Sequence, residues 1–386
     1  MTEAKLSGRR SAQGHDRSSK NIQGIQGPNR NRQSKSYLTR GVTRAAASII
    51  GCMIGCGAIG SPTMALAASA AGASAASGAA SNPGAKPASA ASSASVASAA
   101  SAASAAEAAS AASAAVASAA RHAADVAAHL DPRDALKLSS QFDSVVTRRL
   151  SVPPADQLAY GRRLQAALAE KGLGALSRQY VVLVDRNPNV QALFIYFRGD
   201  AANAWTLIGA SPVSTGWPGR YDHFVTPIGV FEHTPQNMDY RAEGTLNENG
   251  IRGYGARDMR IFDFGWNDAV RGWGKGGVSS MRFQMHATDP DRLEPLLGIR
   301  HSKGCVRIPG SLDRFLDHFG VLDADYQAMA DAGLALWVLH RDRAVTPWAG
   351  RYLVVVDSGA KTRPSWSPQP RPEVRARVPE GADTAD

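Results

Sequence analysis

The chain has few cysteines, few acids near its start, no long hydrophobic run and, through a long early stretch, almost no large side chains. Its three cysteines in 386 residues, Cys52, Cys56 and Cys305, exclude a disulfide scaffold, and with no CxxC beside Cys305 they exclude a thiolate zinc site. The longest uncharged apolar run, at 45–60, is 16 residues, short of the ~20 that a helix needs to span a bilayer. Residues 1–44 carry ten Lys and Arg against only Glu3 and Asp16, which places +8 of the formal +10 there. The 33 basic and 31 acidic side chains that remain are nearly neutral in sum. A nucleic-acid partner is therefore excluded, because phosphate binding needs cations clustered on the folded domain.

What is present divides the chain. The basic segment runs into AAASIIGCMIGCGAIGSPTMALAASA, which breaks at Ser61-Pro62 and closes on Ala65-Leu66-Ala67. A basic n-region, a short apolar core and an A-x-A site make residues 1–67 a secretory signal cleaved after Ala67 or, left uncut, a signal anchor, the one expected route to a membrane. Ile50-Gly51-Cys52 and Ile54-Gly55-Cys56 also resemble lipidation boxes, with a short apolar run before either cysteine. The n-region is long enough to leave a later translational start open. Residues 68–120 are nearly all Ala and Ser, too poor in large apolar groups to offset the entropy of ordering, and read as a disordered linker, with the helix propensity of alanine leaving partial helix open but no apolar stripe to dock it. Residues 121–178 follow a helical period and form a lead-in.

From residue 179 the period becomes two. Strands are expected at 180–197 (a pair about Asn187-Pro188-Asn189), 205–214, 227–234, 279–287, 334–340 and 351–357, a mainly β domain over 179–358. Residues 359–386 are polar and proline-rich, a flexible tail. A glycine-rich excursion at 235–278 carries Tyr254, Phe262, Phe264, Trp266 and Trp273, which either pack it onto the sheet or line a substrate groove.

Loss of the signal leaves Cys305 as the sole thiol, either a buried small hydrophobe or a reactive group. A nucleophile needs a base within reach, a group to orient that base, and donors for the oxyanion. In SMRFQMHATDP, Met281, Phe283 and Met285 alternate with Arg282, Gln284 and His286, so His286 ends the polar face of a strand just before a turn. His301, four residues before Cys305, meets the thiol only in a tightly coiled loop and is read as non-catalytic. His223, His233 and His318 are read as surface or packing residues. SLDRFLDHFG reads as a helix with Ser311 as N-cap and Gly320 beyond its end. Arg300, Lys303 and Arg307 make the field about Cys305 positive, which favours thiolate and draws an acidic peptide.

The order His286, fifteen residues, Ser302-Lys303-Gly304-Cys305-Val306-Arg307 resembles the signature of the L,D-transpeptidases with a YkuD-type catalytic domain. Leu297-Gly298, Pro212-Val213-Ser214-Thr215-Gly216 and Thr226-Pro227-Ile228-Gly229-Val230-Phe231 are similar to further motifs of that family, in its order, across residues 180–340. Ala287 where glycine is usual, Lys303 where histidine or asparagine is common, and the long excursion depart from the pattern. The resemblance implies a β-sandwich or barrel catalytic domain with a few helices and no metal or organic cofactor. It implies Cys305 as thioester-forming nucleophile, His286 as base, and Ser302 orienting His286 through its backbone carbonyl. Gly304 would belong to the oxyanion loop, with N–H donors at Gly304 and Cys305, and Arg307 would buttress it. Lys303, Arg300, Trp266 and Trp273 would contact substrate.

The implied substrate is the tetrapeptide stem of peptidoglycan, cut after meso-diaminopimelate with release of D-alanine and joined to the amine of a second stem in a 3→3 cross-link. Carbapenem-type β-lactams would inhibit, and the protein would be exported to the periplasm of a Gram-negative bacterium, with or without a membrane tether. With water as acceptor the same site makes an L,D-carboxypeptidase or a cross-link hydrolase; a third reading is a wall-binding module with a vestigial site. N-terminal sequencing of the exported protein tests the division at its start: Ala68 is expected as the first residue, and an uncut N-terminus would contradict cleavage.

Overall fold

The structure, a computed structural model, describes residues 92–378, with side chains from residue 104. The expected signal or anchor, Cys52, Cys56, the first part of the linker and the end of the tail lie outside the described residues. The Ala/Ser stretch is helical from Ser92 onward, forming α1 (Ser92–His129). Over that part the stretch takes the helical alternative to a disordered linker: alanine has the highest helix propensity, and the run holds no breaker. Next come α2 (Leu138–Val145) and α3 (Pro154–Glu170), then β1 (Gln179–Asp185), β2 (Ala192–Arg198), β3 (Thr206–Pro212), β4 (Phe224–Val225) and β5 (Gly229–Glu232). After these lie β6 (Tyr240–Arg241), β7 (Arg260–Arg271), β8 (Val278–Ala287), β9 (Val306–Ile308), α4 (Gly310–Phe319), α5 (Ala324–Asp331), β10 (Tyr352–Val356) and α6 (Pro372–Arg375).

One sheet has the order β3-β2-β1-β10-β5, with β1 and β10 parallel and the other pairs antiparallel. The second has the order β4-β7-β8-β9, with β6 also on β7 and with β8 and β9 parallel. The fold is thus mainly β, with mixed sheets and a few helices. YVVLVD and ALFIYFR are almost unbroken apolar runs because both faces of the first sheet are covered. On one face Val182, Val184, Ile195, Phe197 and Leu353 share a core with Phe262, Phe264, Phe283 and Met285 of the second sheet. Phe231 of β5 meets Phe283 of β8 there, with ring centroids 4.7 Å apart. On the other face Val181, Leu183, Phe194, Tyr196 and Val354 pack under Tyr160, Leu164 and Leu168 of α3.

The lead-in, expected as a segment of its own over 121–178, thus packs as a layer on the first sheet. Its α2 also sends Leu138 and Phe142 into the inter-sheet core, where Phe142 meets Phe315 of α4 edge-on at 5.4 Å. The tail is fixed as far as it is described: Trp366 packs on Tyr160 and Phe194, both at 6.0 Å, and its Nε1 donates to Asp156 at 2.8 Å. The excursion contains the longest strand, β7, which bulges between Asp263 and Trp266, so Phe262 and Phe264 enter the core while Trp266 faces out. Residues 334–340 are turn and loop; the carbonyl of Val338 accepts from Arg241 Nε at 2.9 Å where a strand partner was expected. Ser311 is no cap: α4 begins at Gly310 after Pro309, and Ser311 Oγ accepts from the Thr147 N–H at 3.1 Å. No helix among the described residues is long and apolar enough to cross a membrane.

A buried ionic cluster ties β5, β7 and the helices together. Arg260 is fully buried and donates through Nε to Asp239 at 2.7 Å, and through Nη1 and Nη2 to Asp323 at 2.8 and 2.9 Å. Both ring nitrogens of buried His233 face acceptors at 2.9 Å, Leu322 O and the Asp239 carboxylate. Burial alone would lower its pKa, but the Asp239 charge and hydrogen bond outweigh that and raise it. Asp313 of α4 accepts the Arg260 N–H at 3.1 Å, and burial, with the Asp317 charge adding, pushes its carboxyl up to about 8. The folded protein thus keeps a proton that the unfolded chain releases near pH 4. Asp313 contributes stability that is fully present below about pH 4 and is lost as pH rises through about 8. Urea denaturation of Asp313→Asn, which mimics the protonated acid, is expected to show a stability advantage over wild type that grows across this interval; a pH-independent difference would contradict it.

Candidate functional site

The site is assembled on β8. Its Met281, Phe283 and Met285 enter the inter-sheet core, which leaves Arg282, Gln284 and His286 on the opposite face, as the alternation predicts. Parallel pairing with β9 sets Met285 beside Val306 and His286 beside Arg307, so Cys305, just before β9, comes abreast of Gln284. Cys305 and His286 are nineteen positions apart in the chain, yet two positions apart in register. Cys305 Sγ is 3.8 Å from the Arg282 carbonyl oxygen. His286 is buried, and its Nδ1 lies 2.6 Å from the Ala287 carbonyl oxygen. That contact calls for a proton on Nδ1, so the lone pair of the neutral ring is on Nε2.

The loop before β9 is held through four successive carbonyls. Ser302 O accepts the Trp217 N–H at 2.9 Å, Lys303 O the Phe224 N–H at 2.7 Å, Gly304 O the Thr226 hydroxyl at 2.6 Å and Cys305 O the Ser302 hydroxyl at 2.7 Å. Thr226 Oγ1 in turn accepts the Gly216 N–H at 2.8 Å, while Thr215 O accepts the N–H groups of His301 and Ser302 at 3.0 and 3.1 Å. Ser214 exchanges both backbone bonds with Arg307 at 3.0 and 2.9 Å. The PVSTG and TPIGVF segments therefore form the cradle of the cysteine loop. Glycine is required at two points: a Cβ at Gly216 would run into the Phe224 carbonyl, and Gly304, at φ +144°, would set a Cβ 2.7 Å from Met281 Cε.

The residues expected at the site are engaged as follows. The Ser302 carbonyl accepts from Trp217 and its hydroxyl spans the cysteine turn, and His286 Nδ1 lies against the Ala287 carbonyl. The Gly304 N–H donates to Ser302 Oγ at 3.1 Å. Arg307 is buried, and its Nη1 donates to the His301 carbonyl at 2.5 Å, a buttressing position. Arg300 donates to the Arg186 carbonyl at 3.3 Å from Nε and Nη2, across the loop end of β1. Lys303 Nζ lies 3.9 Å from Asp222. Trp273 packs edge-on against Phe224 at 4.8 Å beneath the loop, whereas Trp266 is 68% exposed. His301 stacks on Trp217 at 5.7 Å, and burial, with Arg307 and Arg220 adding, lowers its pKa to about 4, so it is neutral at neutral pH.

Tyr254 and three residues without an expected role, Gln284, Tyr240 and Asp263, complete the face. Tyr254, from the excursion, sets its ring edge against His286 at 4.6 Å. Gln284 Nε2 donates to Tyr240 Oη and to Asp263 Oδ2, both at 2.9 Å. Burial raises the pKa of Tyr240 against the hydrogen bonds of Tyr254 and Gln284, which lower it, with the charges of Asp263 and Cys305 adding to the rise. The period-two spacing from His286 back to Gln284 was the available signal for this group; nothing in the sequence pointed to Tyr240 or Asp263. Among the described residues, no group of three or more His, Cys, Asp or Glu is arranged to hold a metal ion.

No family model and no curated protein matches the sequence. Among solved structures the chain is similar to a fused Zn-dependent amidase/peptidase/peptidoglycan-binding domain-containing protein from Clostridium acetobutylicum, at 13% identity and a TM-score of 0.19, covering 55% of this chain and 66%, just under two thirds, of that one. So slight a likeness carries no argument about fold or chemistry.

The cradle makes its own prediction. Thr226→Val strips the Gly304 carbonyl of its donor and the Gly216 N–H of its acceptor inside a buried site, at a cost of about 1–3 kcal/mol for each group left unsatisfied. Urea denaturation is expected to show this loss, with slower alkylation of Cys305; wild-type values for both would contradict the cradle.

Proposed function

We propose that the protein is a cysteine-dependent acyltransferase of peptidoglycan, of the kind its motifs resemble. The observation that supports this reading is the β8–β9 register, which sets Arg307 beside His286 and so returns the chain next to β8 with Cys305 only two residues before that pair. In the first half-reaction His286 takes the thiol proton, and the sulfur attacks the carbonyl of the third residue of a tetrapeptide stem. The tetrahedral intermediate collapses to a thioester as the bond to D-alanine breaks, and the imidazolium returns its proton to the departing amine. In the second half-reaction the side-chain amine of another stem attacks the thioester, His286 again removes a proton, and the thiol is regenerated. The atoms balance with no metal or organic cofactor. Tyr254, edge-on to His286, and the Ala287 carbonyl at Nδ1 hold the imidazole in place for both proton transfers.

Mass analysis of muropeptides after incubation with the protein tests the reaction. Cross-linked dimers together with released D-alanine are expected. Shortened monomers alone would assign water as the acceptor and make the protein a carboxypeptidase, and unchanged muropeptides would contradict an enzyme of this kind. His286→Ala is expected to lower turnover by about 100-fold or more, the usual share of a general base, whereas His301→Ala keeps the greater part of it; the reverse order would overturn the assignment of the base.

A further inference from the structure

Arg282 stands on the face that carries His286 and has no part in the proton transfers. Its Nε donates to both oxygens of Asp263, at 3.0 and 2.8 Å. Asp263 is itself buried and fixed, accepting the Gly265 N–H at 2.8 Å and Gln284 Nε2 at 2.9 Å. The guanidinium is therefore anchored at its Nε edge. Its Nη groups take no hydrogen-bond partner among the described residues, although the side chain is only 37% exposed. Trp266, opposite Arg282 in the β7–β8 register, flanks the guanidinium at 5.9 Å from its ring centre and is itself 68% exposed. One edge is bound, one side is lined by an aromatic, and the remaining edge holds paired N–H groups in the geometry that a carboxylate accepts in two parallel bonds.

The same residue meets the reacting atom, since Cys305 Sγ lies 3.8 Å from the Arg282 carbonyl oxygen. Standard bond lengths then keep the guanidinium within about 12 Å of the sulfur at full stretch, no more than three or four residues of extended peptide. The cations read from the sequence are differently engaged: Arg300 and Arg307 donate to the carbonyls of Arg186 and His301. We propose that Arg282, positioned by Asp263 and flanked by Trp266, is the receptor for a carboxylate of the acyl-donor peptide and so determines a preference for acidic over neutral peptides. This rests on the reading of Cys305 as the acyl-accepting nucleophile.

Alkylation of Cys305 by iodoacetate and by iodoacetamide separates the two claims. In both, the thiolate displaces iodide; only the first reagent carries a carboxylate, and the ratio of the two rates cancels any change in thiolate population. For the wild-type chain this ratio is expected to exceed that of N-acetylcysteine. Removal of one charge at this range, in Arg282→Gln, should lower it by roughly three- to tenfold. Arg282→Lys, which keeps the charge and is the milder change for folding, should retain a ratio between the two. A wild-type ratio equal to that of N-acetylcysteine, or one unchanged in Arg282→Gln, overturns the receptor while leaving the nucleophile in place. Failure of both reagents to label Cys305 overturns the nucleophile and the receptor with it.

Discussion

The parallel pairing of β8 with β9 is the constraint on which the rest of the site depends. It puts His286 beside Arg307 and Met285 beside Val306, the residue that follows Cys305. Parallel strands cannot be joined by a tight turn and need a crossover of a dozen residues or more. The stretch that separates His286 from Cys305 is that crossover, and it contains a single 3₁₀ turn, Glu294–Leu296. The long spacing between the two residues is thus the length of chain needed to return beside the same strand in the same direction. It also explains why His301, so near in sequence, is elsewhere, stacked on Trp217.

A register alone does not hold a side chain still, and the surroundings supply the rigidity. The carbonyls of residues 302–305 are all bonded, three of them to the segment 217–226 and one to Ser302 within the loop. That segment leads into β5, which pairs with β10 at the edge of the first sheet, so the loop is coupled to a sheet buried on both faces. The ionic cluster around Arg260 performs the same service at the start of β7, the strand that carries Asp263 and Trp266. Breaking such a buried cluster by removing one partner is expensive, since the charges left behind have no water to return to.

Much of this was legible in the sequence. The alternation in SMRFQMHA placed His286 on the face away from the core, and the unbroken apolar runs of β1 and β2 fitted strands covered on both sides. What escaped has identifiable causes. Glycines on either side of β7 hid a strand whose bulge lets it carry core and exposed aromatics in succession. The prolines of the tail suggested a loose end, whereas Trp366 anchors it on α3. The roles of Ser302 and Gly304 were read by analogy of motif, since the bonds that hold them, to Trp217 and Thr226, come from a segment about eighty residues earlier. Arg282 was overlooked because its meaning depends on Asp263, nineteen residues away and on another strand.

The central claim is that Cys305 is an acyl-accepting nucleophile served by His286. Its most direct test is intact-mass analysis with peptide mapping after exposure of the whole chain to a carbapenem at neutral pH. A single covalent adduct on the peptide containing Cys305, absent in Cys305→Ala, is the result expected. An unmodified protein, or an adduct that persists in Cys305→Ala, would contradict it.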